Sequence, residues 1–247
     1  MRSIYVPKGK ALEYGELACN LYEGCSHGCT YCYNLALCGK WGHADFDKPR
    51  PREGIIEALE RSAFNHHKKG DHRPVFFCFT CDAYQPLDVN CRLARQAIEV
   101  LHSYGIPVRI LTKGGKRAER DFDLLRGVGD PGPIDEFGVT LTFISEVDSY
   151  IWEPHAAPVV HRLDSLKAAH EAGIKTWVSM EPVIDPQQTL DLIRLTYRYV
   201  DHYKVGRWNH DVRANKIDWP LFARSAVDLL NILGCDYYIK KDLAKYL

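Results

Sequence analysis

The first chemistry this chain offers is a set of three cysteines. Cys25-Ser26-His27-Gly28-Cys29-Thr30-Tyr31-Cys32 is a C-x3-C-x2-C run. Its gaps are poorly suited to internal disulfides, which need Cα atoms ~4.4–6.8 Å apart with matching Cβ directions. They suit several thiolates converging on one inorganic centre from a single loop, and Gly24 and Gly28 supply the backbone freedom for a sharp wrap. A four-iron cluster normally takes four thiolates, so three leave one iron with an open position, as a catalytic centre needs. The alternative is a structural zinc site with His27 or Cys38 as fourth ligand. Such sites pair two C-x2-C knuckles, or one knuckle with two histidines, and no second knuckle lies nearby. The spacing therefore favours iron–sulfur over zinc.

The composition is compatible with that chemistry. The chain has 247 residues, with 32 basic and 32 acidic side chains for a net charge of +0. Hydrophobic residues make up 46% and charged ones 26%, enough to bury a sizeable core and to exclude disorder. Balanced charge argues against coating nucleic acid or acidic lipid by bulk electrostatics, but leaves room for a local basic groove. The N-terminal residues lack an apolar core, and no segment approaches the roughly 18 apolar residues of a membrane span. The expectation is a cytoplasmic protein without a membrane partner. In a reducing compartment nine cysteines are poorly explained as disulfides.

The words around the cysteines carry a resemblance. Glu13-Tyr14-Gly15 is followed by Asn20-Leu21-Tyr22-Glu23-Gly24 and then by the cysteine run, with an aromatic before its last cysteine and Tyr33 after it. The signature resembles that of the radical S-adenosylmethionine (SAM) superfamily. The neighbouring residues are similar to the branch containing spore photoproduct lyase and its photolyase-like relatives.

The elements that must hold such a loop alternate. Strands are predicted near 17–21 and over 75–80, 108–112, 137–143, 174–179 and 203–205, with a short final strand over 237–239. Helices are predicted over 54–65, 89–103, 117–126, 159–172, 187–199 and 219–233, several closed by glycine or proline. Strands alternating with helices imply a parallel sheet with right-handed crossovers. About six βα units over this length resemble the open partial (β/α)6 barrel of radical SAM enzymes, so residues 1–247 are expected to form one α/β domain with the cluster loop at 24–33.

In such folds chemistry gathers past the carboxyl ends of the strands. After the second predicted strand, Thr80 and Asp82 match the Thr/Ser-Asp element of the lyase branch. Asp82 would orient the ammonium or ribose of SAM, or simply cap the following turn. Lys113, at the end of the third, would meet the SAM carboxylate, or else be a solvated lysine in a basic turn. Ser145 and Glu146 would face the ribose or methionine, and Glu181 or Met180 the adenosyl group. Gly206 would permit close backbone approach, while Arg207, Trp208 and Asn209 would suit a base or phosphate, or form an ordinary strand-to-loop connection. Tyr31 would pack around the cluster. Tyr33 matches a tyrosine of the lyase's hydrogen-atom relay. Phe79 falls where the lyase carries its hydrogen-donating cysteine; strand alternation places Cys81, not Cys78, on the same face, which makes Cys81 the candidate donor.

The resemblance implies a [4Fe–4S] cluster on Cys25, Cys29 and Cys32, and SAM chelating the open iron through its amino and carboxylate groups. One electron, from a donor such as flavodoxin or ferredoxin, would cleave SAM to a 5′-deoxyadenosyl radical that abstracts hydrogen from substrate. The branch points to a damaged or modified nucleobase, in nucleic acid or as a nucleotide, and the basic runs at 113–120 and 207–216 permit this. Radical chemistry on a small molecule or peptide is the rival enzyme reading. A non-catalytic iron–sulfur or zinc-binding module is the rival from another class.

Overall fold

The computed structural model describes residues 3–35, 45–130 and 132–247. The chain enters through β1 (Leu17–Cys19), then crosses a small antiparallel ribbon of β2 (Tyr22–Glu23) and β3 (Arg50–Pro51). Six further strands follow: β4 (Val75–Phe77), β5 (Val108–Thr112), β6 (Glu136–Thr140), β7 (Lys175–Val183), β8 (His202–Arg207) and β9 (Tyr237–Ile239). With β1 these six form one sheet, ordered β1-β4-β5-β6-β7-β8-β9, in which every neighbouring pair is parallel. The two outer strands, β1 and β9, are not paired with each other, so the sheet is an open α/β partial barrel.

Strand alternation assigns its two faces. Leu17, Cys19, Val75 and Phe77 join the large core shared with the helices. Ala18, Phe76 and Trp177 form a second, smaller core with Tyr5, Tyr14, Phe79 and Leu111. Successive residues point to opposite faces, so the second group lines the inside of the barrel. Gly138 makes room for it, since a Cβ there would lie 2.3 Å from the Trp177 ring. The outer helices are amphipathic: Leu93–Ser103 buries Ala94, Ala97, Ile98 and Leu101 at helical spacing. No helix among the described residues is long and apolar enough to cross a membrane.

Departures from the sequence expectation have local causes. The strand predicted over 75–80 stops at Phe77 because Cys78 takes φ +68°, a left-handed conformation no strand tolerates. The helix predicted over 89–103 is interrupted at Arg92, φ +50°. There Asp88, buried, accepts hydrogen bonds from Tyr22 Oη, Arg120 and the Ala94 amide. The stretch 117–126 is a 3-10 turn over Gly115–Asp121 rather than an α-helix. An unforeseen helix, Glu146–Trp152, follows β6.

Candidate active site

The cluster loop leaves β2 and doubles back on itself. Gly24, at φ +80°, is obligatory, because a Cβ would come within 2.5 Å of Phe46 O, which accepts the Cys25 amide at 2.8 Å. Two backbone bonds in opposite senses tie the loop to the segment after β6: Thr30 N to Trp152 O at 2.9 Å, and His155 N to His27 O at 3.1 Å. Cys25, Cys29 and Cys32 all line one cavity of about 410 Å³, and all three are free thiols.

Burial pushes the Cys29 thiol up to about 12, although Lys113 pulls it down. Burial likewise holds Cys25 well above the ordinary thiol range, and the Asp82 carboxylate adds to the effect. Dry thiols become thiolates when a metal supplies the compensating charge. Three free thiols on one dry cavity therefore fit a metal cluster. Among the described residues, no group of three or more His, Cys, Asp or Glu is arranged to hold a single metal ion. Cys38, the alternative fourth zinc ligand, lies outside the described residues. His27 is already engaged. Its Nε2 lies 3.3 Å from Arg117 Nη2 and its Nδ1 3.5 Å from Asp82 Oδ2. Burial, opposed by Asp82 and reinforced by Arg117, Lys113 and Arg162, lowers the imidazole to about 4, so it is neutral and accepts from Arg117.

Asp82 spends both carboxylate oxygens inside the protein. Oδ1 accepts from Thr112 Oγ1 at 2.6 Å and from the Tyr84 amide at 2.8 Å, and Oδ2 accepts from the Lys113 amide at 2.7 Å. Burial works against the charge, but His27, which is charged only in acid, and these donors together hold the carboxyl below its usual range. It clasps the ends of β4 and β5 together and aims Lys113. The Lys113 amine stands 5.5 Å over the Tyr31 ring and 4.0 Å from Glu153 Oε1. Burial opposes its charge, while Cys29 and Glu153 outweigh burial and keep the amine above its usual range. Glu153, 2% exposed, accepts from Tyr31 Oη and pairs with Arg162 Nη1 at 2.6 Å. Arg162, 1% exposed, also donates to Ala157 O and Thr140 O.

A second polar group lines the same cavity. Tyr14 Oη bonds to Ser179 Oγ at 2.9 Å and donates to Glu181 Oε2 at 2.6 Å. Lys240 pairs with the same carboxylate oxygen, and its amine lies 4.3 Å over the Tyr14 ring. Gly206 admits them: a Cβ there would lie 2.8 Å from Glu181 Cδ and 2.9 Å from Lys240 Cδ. Arg207, Trp208 and Asn209 line the cavity beside them.

The remaining expectations divide. Tyr31, Tyr33, Cys81, Asp82, Lys113 and Glu181 all line the cavity. Tyr33 Oη and Asn34 Nδ2 both donate to Phe79 O, tying the cluster loop to the turn after β4. Cys78 lines the cavity together with Phe79 and Cys81, because the alternation expected past Phe77 ends at the left-handed Cys78. Thr80 is not among the lining residues; its amide donates to Asn20 Oδ1, and its buried hydroxyl has no hydrogen-bond partner among the described residues. Ser145 is not a lining residue either. Its hydroxyl caps the helix Glu146–Trp152 by accepting from Asp148 N, while Glu146 caps the next helix through the amides of Val159 and Val160. Met180 is fully buried in the large core. Sequence reasoning missed Glu153, Arg162 and Lys240. Glu153 closes a helix that the hydrophobic pattern did not reveal, Arg162 is a charged residue buried within a predicted helix, and Lys240 directly follows the last strand.

The profile of the Radical SAM superfamily matches residues 19–200, and the chain belongs to that superfamily. That superfamily uses a [4Fe–4S] cluster and SAM. An uncharacterized protein of Methanocaldococcus jannaschii is 30% identical over 184 residues, covering 72% of this chain and 62% of its own length. One from Acidianus two-tailed virus is 28% identical over 199 residues, covering 75% and 62%. The chain thus spans about 62% of the length of these curated relatives. Among solved structures, a cysteine-to-alanine mutant of spore photoproduct lyase with dinucleoside spore photoproduct aligns at TM-score 0.72. The two are 14% identical, over 96% of this chain and 78% of that one. SuiB of Streptococcus suis, bound to SAM, aligns at TM-score 0.65 with 11% identity, over 93% and 52%. At these identities the likeness is one of fold.

Proposed function

We propose that residues 1–247 form one radical SAM domain whose reaction abstracts hydrogen from a damaged or modified nucleobase or nucleotide. The make-up of the cavity carries the substrate reading. Phe76 and Phe79, stacked 4.2 Å apart at 17°, share it with Tyr14, Tyr33 and Trp208, while Lys8, Arg207, Asn209 and His210 line the same space. Flat aromatic faces accept a base, and cationic side chains accept a phosphate. The fold likeness to a lyase solved with a dinucleoside product agrees with this.

Cys25, Cys29 and Cys32 would hold the cluster, and Lys113 Nζ would neutralise the carboxylate of SAM. When bound, and given one electron from a reductant, the two groups would supply radical chemistry able to take hydrogen from an unactivated C–H bond. The chain's own part is orientation and exclusion of water. Asp82 aims Lys113, and Glu153 with Arg162 fixes Tyr31 under the loop. Cys81 Sγ would give a hydrogen atom to the product radical and take one from Tyr33 Oη, which would recover its own as one electron from the donor and one proton from water.

Anaerobically reconstituted protein should bind about four irons with matching sulfide. With SAM and dithionite it should release 5′-deoxyadenosine. One zinc per chain, or repeated absence of deoxyadenosine from a fully loaded cluster, would overturn the enzymatic reading. Ultraviolet-irradiated oligonucleotides should bind in a salt-dependent manner and raise SAM turnover. No binding at low salt, with turnover raised instead by peptides, would overturn the nucleobase reading.

A further inference from the structure

The connection from the helix Ile55–His67 to β4 carries three histidines, His66, His67 and His72, none of which lines the active cavity. Two of them face each other. The rings of His67 and His72 have their centres 5.3 Å apart at an interplanar angle of 85°, and both residues are exposed. A single turn, Tyr104–Gly105, orients both rings just before the chain enters β5. His67 Nδ1 lies 3.1 Å from Tyr104 O, and His72 Nδ1 lies 3.2 Å from Gly105 O. A carbonyl oxygen only accepts, so in each neutral imidazole Nδ1 carries the hydrogen and Nε2 keeps its lone pair. Imidazoles that bind metals are held in this way, one nitrogen donating to a carbonyl or carboxylate while the other ligates.

Spacing and bracing agree with such a use. Two imidazoles on one tetrahedral ion, with metal–nitrogen bonds of about 2.0–2.1 Å, place their ring centres roughly 5.2 Å apart. The loop that carries His72 is fixed independently of these rings. Asp71 accepts from His66 Nδ1 and from Arg73 Nε and Nη2, each at 2.8 Å, and its amide donates to His66 O at 3.0 Å. Asp71 is thereby spent on the loop rather than offered as a third ligand. His67 is the last residue of its helix, where the dipole favours positive charge. Lys68 and Lys69 follow it and oppose a cation, although the Lys68 amine is turned onto the Phe64 ring at 5.3 Å. An edge-to-face ring pair needs only the ring separation; it does not need both Nδ1 hydrogens anchored on consecutive carbonyls.

We propose that His67 Nε2 and His72 Nε2 together bind one late first-row divalent cation, with water completing its coordination. Imidazole nitrogen suits zinc, copper and nickel. The site lies at the amino ends of β4 and β5, opposite the end that holds the cluster loop, so the ion braces the fold rather than reacting. The proposal is independent of the substrate and of the radical chemistry.

The test is anaerobic calorimetry of zinc binding to the reconstituted, iron-loaded chain, whose cluster thiols are already occupied. Wild type should show one saturable zinc site. His67→Ala and His72→Ala should each weaken it by about tenfold to a hundredfold, and should leave iron content and deoxyadenosine formation unchanged. Cys78→Ala should bind zinc as wild type does. Nitrogen spectra of the histidine rings in wild type need no variant, and zinc should shift the Nε2 signals of two rings. Absence of a saturable site, a site that survives either histidine substitution, or a site lost with Cys78 would overturn the proposal. Zinc-induced shifts at Nδ1, or at no ring, would count equally against it.

Discussion

The cluster loop takes its three thiols from eight consecutive residues, whereas the polar wall of the same cavity takes Tyr14, Ser179, Glu181 and Lys240 from three distant parts of the chain. Local spacing alone can make a metal site, because one loop conformation brings its ligands together. A polar wall of this kind exists only once the sheet has formed, and the Tyr14–Glu181 bond spans 167 positions. The loop therefore depends on what lies beneath it, and the wall on the room left by its neighbours.

The largest expected effect breaks the loop itself. Cys29→Ala should reduce iron from about four per chain to background and abolish deoxyadenosine formation, while Cys78→Ala retains the iron. Full iron in the Cys29 variant would remove that residue from the ligand set.

Next comes the support under the loop. Glu153→Gln leaves Arg162 buried without its carboxylate, and breaking one side of a buried pair costs about 3–5 kcal/mol. Denaturant unfolding of the full chain should show this, and adding Arg162→Met should recover much of it. A loss below about 1 kcal/mol would mean that the pair is effectively solvated.

On the wall, Gly206→Ala should cost about 1–3 kcal/mol by overpacking and should displace Glu181 and Lys240 without changing iron content. Equal loss of iron would show that the two regions are not separable.

The smallest expected effect concerns Lys204, inside the barrel, whose amine donates to Glu13 O and lies 5.2–6.0 Å from the rings of Tyr14, Trp177 and Tyr238. Burial, with Arg109 nearby, lowers it to about 8. The unfolded chain then binds more protons between pH 8 and the ordinary lysine value of 10.5, so stability from this group rises with pH across that window. The shift sets a ceiling of about 3 kcal/mol; the three rings favour the charged amine and reduce this to roughly 1 kcal/mol. Lys204→Met should flatten that rise relative to wild type. Parallel profiles would mean that the amine titrates as in water.

What the sequence made legible follows the same division. The β5 strand and the final strand Tyr237–Ile239 lie where apolar runs bounded by glycine or proline placed them. The cluster cysteines needed no fold to be read. Strand alternation failed at Cys78, because a left-handed residue leaves no mark in a run of apolar letters. Ser145 and Glu146 looked like ligand contacts for a similar reason: a serine followed by acidic residues past a strand is also a helix cap. Lys240 was invisible because its partners, Glu13 and Glu181, meet it only after the chain has crossed the whole sheet.

The paired amide bonds between the cluster loop and the segment after β6, Thr30 to Trp152 and His155 to His27, have a mechanical consequence. Running in opposite directions, they form a two-rung splint, so that the loop cannot tilt without carrying the end of the outer helix with it. A load applied at Tyr150 or Ile151 is therefore felt at the thiols as a displacement of their own backbone. Any restraint on that helix would also restrain the backbone that carries the three thiols.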